Sequence, residues 1–187
     1  MGEPGTKEIL RLEDLEAAGN IHTGRKHVLS VLVENKAGVL TRVAGLFARR
    51  GFNIDTLAVG PTEDESVSRI TITLDGASHP IDQVTKQLHK LVNVIKIRDL
   101  APEETIAREM ALFKISADGT NRAEIMQLAD IFRGRIIDVS DNTYTIELTG
   151  NTQKLDAFIK SLDQGAIIET VRTGASGIGR GNRVLRV

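Results

Sequence analysis

An order of hydrophobic periods runs twice through this chain of 187 residues: strand, helix, strand, strand, helix, strand. Residues 27–34 (HVLSVLVE) are β-branched and nearly continuously apolar, as in an interior strand covered on one face and flanked on both sides. After a turn at 35–38, Val39, Val43, Leu46 and Phe47 recur at helical spacing, and Gly51 supplies a left-handed stop. Strands follow at 54–59 and 68–74, a helix carrying Ile81, Val84, Leu88 and Leu91, and a strand at 92–98. Beyond a linker at Pro102-Glu103-Glu104 the order returns. A strand at 107–116 is followed by a helix with Ile125, Leu128, Ala129 and Phe132, which Gly134 is expected to stop. Strands at 135–139 and 143–148, a helix opened by Thr152 and a strand at 167–172 complete it.

A repeat of this kind predicts an α+β chain of two tandem βαββαβ ferredoxin-like sandwiches, each laying two helices over one face of a four-stranded antiparallel sheet. The other face of each sheet is left for a partner. The predicted division is a polar extension at 1–25, a first domain at 26–100 and a second at 101–187 with a basic tail.

Composition then removes several function classes. No run approaches 18 apolar residues, so no segment is expected to span a bilayer. Lys+Arg 24 against Asp+Glu 25 gives a net charge of -1, which offers no overall field for nucleic acid or anionic lipid. Cysteine is absent, which excludes disulfides, thiolate nucleophiles and sulfur-bound zinc. The polar N-terminus lacks the apolar stretch of a secretory signal, so a cytoplasmic protein is expected. Met1 to Thr6 fits the loose myristoylation pattern, with no second anchor beside it.

No catalytic constellation emerges, and no metal site. His22, His27, His79 and His89 have no ligand spacing, which leaves surface or capping roles. Gly174-Ala175-Ser176-Gly177-Ile178-Gly179 misses a nucleophile elbow because Ile178 stands at the last glycine position, and it reads as a flexible tail. Arg172, Arg180, Arg183 and Arg186 lie near the end with no acid among them, as a solvated basic tail or a contact for an acidic partner or a nucleic acid backbone.

One turn carries recognition chemistry. Glu34-Asn35-Lys36-Ala37-Gly38-Val39-Leu40 joins a strand end to a helix start, where the amides of Gly38, Val39 and Leu40 can receive a carboxylate. Gly38 allows close approach to the backbone, Asn35 and Asn53 offer amides suited to a zwitterion, and Ile54 offers an apolar wall. The same residues equally fit a plain turn, capped by Asn35 and relieved by Gly38.

The run from His27 to Val43, with Gly45-Leu46-Phe47, Arg49-Arg50-Gly51-Phe52-Asn53-Ile54 and Leu57, closely resembles the N-terminal ACT domain of the small regulatory subunit of acetolactate synthase. Ser68-Arg69, Lys86-Gln87-Leu88, Lys90-Leu91, Arg108-Glu109, Phe132-Arg133-Gly134, Ile137-Asp138-Val139 and Lys154-Leu155 extend the resemblance over about residues 26 to 180. It implies a non-catalytic subunit with no cofactor of its own, which activates a large catalytic subunit carrying thiamine diphosphate, Mg2+ and FAD. It further implies a homodimer through side-by-side ACT domains, with a branched-chain amino acid, valine foremost, held at their interface. The family's effector positions fall on Asn35, Gly38, Val39, Leu40, Asn53 and Ile54. Lys36-Ala37 and Asp55 lie where such proteins vary, so selectivity among valine, leucine and isoleucine stays open. Two other readings compete: an amino-acid-sensing nucleic-acid regulator using the arginine tail, and a free-standing enzyme with a sensory domain.

Overall fold

The computed structural model of the chain describes residues 26–75, 80–163 and 165–187. The expected extension at 1–25, the lipidation pattern, His22 and His79 lie outside the described residues. The first unit comprises β1 (Lys26–Glu34), α1 (Val39–Arg50), β2 (Thr56–Pro61), β3 (Val67–Asp75), α2 (Ile81–Leu88) and β4 (Val94–Asp99). Its antiparallel sheet has the order β2-β3-β1-β4. A 3-10 turn at Pro102–Glu104 leads into β5 (Thr105–Ser116), α3 (Arg122–Ile131), β6 (Arg135–Val139), β7 (Thr143–Gly150), α4 (Thr152–Lys160) and β8 (Ile167–Arg172). These strands repeat the same order as β6-β7-β5-β8, so both units are βαββαβ sandwiches.

Alternation along each central strand builds the cores. In the first unit Leu29, Val31 and Val33 of β1 and Ile70, Ile72 and Leu74 of β3 face Val39, Val43, Leu46 and Phe47 of α1 and Val84 and Leu88 of α2. The second unit packs Ala111, Phe113 and Ile115 with Ile146 and Leu148 against Ile125, Ala129, Leu155 and Phe158. Three strand starts differ from expectation by two residues, β5 beginning early at Thr105, where it pairs with the segment at Ser176–Gly179. β2 begins at Thr56 because Ile54 turns into the core, and β4 begins at Val94 because its N–H closes a turn onto the Leu91 carbonyl.

Both expected helix stops form, through different residues. At the end of α1, Gly51 is left-handed at φ 68; its N–H donates to Ala48 O and that of Phe52 to Phe47 O. These are the two bonds of a Schellman motif, and the accompanying apolar contact is the edge-on pair of Phe47 and Phe52, 5.8 Å between centroids. At the end of α3 the left-handed residue is Arg133, at φ 53, and not Gly134. Gly134 occupies the next position, its N–H bonded to Ala129 O. A Cβ there would stand 3.1 Å from the Ile146 side chain and 3.3 Å from Glu147 O, so its small size serves close packing against β7.

The glycine-rich C-terminal segment is ordered structure, contrary to the expected flexible tail. Ser176–Gly179 forms β9, paired antiparallel with the first four residues of β5 from Thr105↔Gly179 to Arg108↔Ser176. Beyond it, Leu185 joins Leu32 and Val67 in a small apolar cluster, and the Leu185 carbonyl accepts from Arg69 Nη2 at 3.2 Å. The face of the first sheet expected to await a partner is therefore partly covered by the chain itself. This accounts for the unbroken hydrophobicity of β1: Ser30 and Leu32, which point away from the helices, are buried as deeply as Leu29 and Val31.

Replacing Arg133 by Gly is expected to stabilise the protein by about 0.5–1 kcal/mol, because the left-handed strain exceeds the added freedom of the unfolded chain. A lower thermal midpoint for that variant would contradict this account of the helix end. Leu185→Ala should cost about 2 kcal/mol, at the low end for a buried leucine because its cluster is small; chemical denaturation measures it.

Candidate functional site

The expected recognition turn lies where β1 ends and α1 begins. Gly38 is the N-cap residue of α1, at φ 82, with no side-chain cap and no acid in the first turn. A positive φ is natural for glycine, and a Cβ placed there meets nothing within 4 Å. The Val39 amide closes the turn onto Lys36 O at 3.3 Å, while those of Gly38, Leu40 and Thr41 find no acceptor among the described residues. Unpaired amides at the positive end of a helix make an anion receptor open to solvent.

The other sequence-predicted residues divide by position. Asn35 is exposed, its N–H bonded to Ser66 O at 2.7 Å and its Nδ2 donating to Glu65 O at 2.8 Å, which leaves its side-chain carbonyl as acceptor. Val39 is buried in the core and Leu40 is exposed beside the turn. Asn53 and Ile54 follow the far end of α1, where Asn53 Nδ2 lies 3.4 Å from Asp55 Oδ1 and Ile54 packs on the core. Twelve helical residues separate the two groups, a length of about 18 Å. One chain thus brings Asn35, Gly38, Val39 and Leu40 together but not Asn53 and Ile54.

A second set of residues surrounds the turn and was not singled out from the sequence. Arg42 Nη1 donates to Asn93 Oδ1 at 2.6 Å, Asn93 Nδ2 donates to Glu34 Oε2 at 2.5 Å, and Lys36 Nζ lies 3.2 Å from Glu34 Oε1. The hydrogen bond from Asn93, then that from Lys36, holds the Glu34 carboxyl below its usual range. Local pattern carries no sign of this network, since Asn93 lies 59 residues from Glu34 and reads as an ordinary turn residue.

Three of the four C-terminal arginines are spent internally. Arg172 makes two bonds to Glu109 and one to Asp156, all at 2.8 Å, with Glu109 almost fully buried. These charge-assisted bonds raise the Arg172 pKa. Arg183 pairs with Glu104 at 2.8 Å, and Arg180 Nη2 approaches Thr105 O at 3.4 Å. The basic tail is therefore largely pinned to the protein. A cavity of about 590 Å³ with mixed polar and apolar walls opens between the two units, lined by Thr56, Thr73, Glu109, Asp156 and Arg172 among others. His27 bonds to Asp99 at 3.0 Å, and among the described residues no group of His, Cys, Asp and Glu could hold a metal ion. No helix among those residues is long and apolar enough to cross a membrane.

Comparison with known proteins agrees with this architecture. Residues 29–96 match the model of the "AHAS small subunit-like ACT domain", and residues 108–181 that of the "Small subunit of acetolactate synthase". The chain is 48% identical over 159 residues to the acetolactate synthase small subunit of Haemophilus influenzae, covering 84% of this chain and 98% of that one. It belongs to the acetolactate synthase small-subunit family. The isozyme 3 small subunit of Escherichia coli is 45% identical over 162 residues, covering 86% of this chain and 99% of that one. The crystal structure of the small subunit from Thermotoga maritima, 46% identical, superposes with a TM-score of 0.77 over 84% of this chain and 99% of that one. Members of this family are regulatory subunits with a catalytic partner, so the chain's role is non-catalytic.

Because the folded-state pKa of Glu34 is depressed, its contribution is present above the ordinary value of 4.5 and is lost as pH falls through the lowered one. The side-chain amide protons of Asn93, followed by NMR, should therefore hold steady from neutral pH down to about 4.5 and shift only below it. A shift centred at or above the ordinary value of 4.5 would show that the network does not hold the Glu34 carboxyl down.

Proposed function

We propose that this chain binds and activates the catalytic subunit of acetolactate synthase in the cytoplasm and makes it sensitive to a branched-chain amino acid, with valine the leading effector. In this reading residues 26–100 form the effector-binding domain, residues 101–187 the second regulatory domain, and the catalytic subunit carries the thiamine diphosphate, Mg2+ and FAD. The observation that carries the reading is the uncapped start of α1, where Gly38 and Leu40 offer two amides beside the free carbonyl of Asn35. An α-amino acid presents the complementary pair: a carboxylate for the amides and an adjacent ammonium for the carbonyl.

The missing wall of the site comes from a second copy. β2 is an edge strand, hydrogen-bonded to β3 on one side only within the first sheet. Two protomers joined antiparallel through β2 would set their α1 helices side by side in opposite directions. The start of one helix would then meet Asn53 and Ile54 at the end of the other. A ligand bridging that junction favours one dimer arrangement, and a coupling of about 1–3 kcal/mol is enough to change the partner's activity several-fold.

Gly38→Asp provides the test, because aspartate tolerates positive φ better than most residues and its carboxylate would sit where the effector's is proposed to bind. The variant is expected to lose valine binding in calorimetry and feedback in the reconstituted enzyme while still stimulating the catalytic subunit. Unchanged valine affinity would overturn the proposed site. Purified wild-type protein should turn over no pyruvate alone and should raise turnover when the catalytic subunit is added; absence of stimulation would overturn the activating role.

A further inference from the structure

The turn between β1 and α1 has four residues, so the aim of the open amides of Gly38 and Leu40 depends on how firmly the strand end and the helix start are held together. From one side the turn is tied by Asn35, through its bonds to Glu65 and Ser66 in the loop between β2 and β3. From the other side the tie is a single residue in the turn before β4. Asn93 accepts the Glu34 N–H through its backbone carbonyl at 2.9 Å, donates to the Glu34 carboxylate and accepts from Arg42, the fourth residue of α1. Every hydrogen-bonding group of its side chain is directed to one or the other flank of the turn. Gly38 between them can swing at little cost, so this outer bridge restrains what the glycine leaves free.

The choice of a neutral amide also has an electrostatic effect. Arg42 meets no carboxylate within ion-pair distance among the described residues; Asn93 stands between it and Glu34, whose carboxyl still feels the Arg42 charge. Its positive charge is therefore only partly offset near the helix start, where it adds to the field of the unpaired amides. A direct ion pair would have cancelled it.

We propose that Asn93 and Arg42 are positioning residues for the effector, holding the amides of Gly38 and Leu40 in the geometry that receives its carboxylate. This inference rests on the function proposed above and extends it to the residues that set the site's affinity. Asn93 touches no ligand; it acts through Glu34 and Arg42.

The test uses the full chain reconstituted with its catalytic subunit, with valine as the probe. Asn93→Ala is expected to raise the half-inhibitory valine concentration about tenfold, with stimulation of the partner retained. Arg42→Ala removes an exposed side chain from the other end of the bridge, guards against a folding defect at Asn93, and should shift valine response in the same direction. The double variant should lose no more than the larger single effect, because both act through one bridge. If both single variants keep wild-type valine response while Gly38→Asp is insensitive, the positioning role is wrong and the site stands. Additive losses in the double variant would likewise overturn the shared bridge. If Gly38→Asp itself responds normally to valine, the effector site is misplaced and the positioning role falls with it.

Discussion

Burial of β1 on both faces is the constraint on which the remaining architecture depends. A strand at the centre of an open sheet ordinarily contributes one face to the core, yet here Leu29, Val31 and Val33 meet the helices while Ser30 and Leu32 are sealed behind the sheet. Burying Ser30 requires a polar partner, and Arg69 supplies it at 2.9 Å while also holding the C-terminal backbone. With both faces committed, a one-residue slip of β1 against β3 would gain nothing by exchanging faces and would lose the Ser30–Arg69 bond. The end of β1 is thereby fixed in space, and so is the turn that follows it.

Much of this could be read from residues alone, for a physical reason. Elements within each unit are specified by local periodicity, and α1, whose apolar stripe and terminal glycine lie in one short window, has the bounds its spacing predicts. Gly38 and Asn35 were legible as a turn because backbone freedom and amide chemistry are local properties. The separation of Asn53 from that turn was not, since it follows from helix length and strand direction rather than from any residue's character. The tie through Asn93 was invisible for a related reason: a turn asparagine gives no hint of a partner across the sheet.

The two helix stops show where composition misleads. Phe132-Arg133-Gly134 reads as a glycine stop, yet the backbone places the left-handed residue at Arg133 and uses the glycine against Ile146. Packing between α3 and β7 outweighed the local cost of a left-handed arginine. In the same way, Gly174 to Gly179 looked like a tail because glycine is weak in strands. Its pairing with β5 depends on a strand edge 68 residues or more away, from Arg108 to Thr105. Glycine suits that strand because a Cβ on Gly177 would come within 2.9 Å of the Leu100 side chain.

The return of the final residues to the first sheet has a consequence for synthesis. On the ribosome the first unit emerges early and can assemble its helix-facing core at once, but Leu32 and Val67 remain without their cover until Leu185 has been made. The nascent subunit thus carries an exposed apolar spot from the folding of its first unit until Leu185 reaches that sheet.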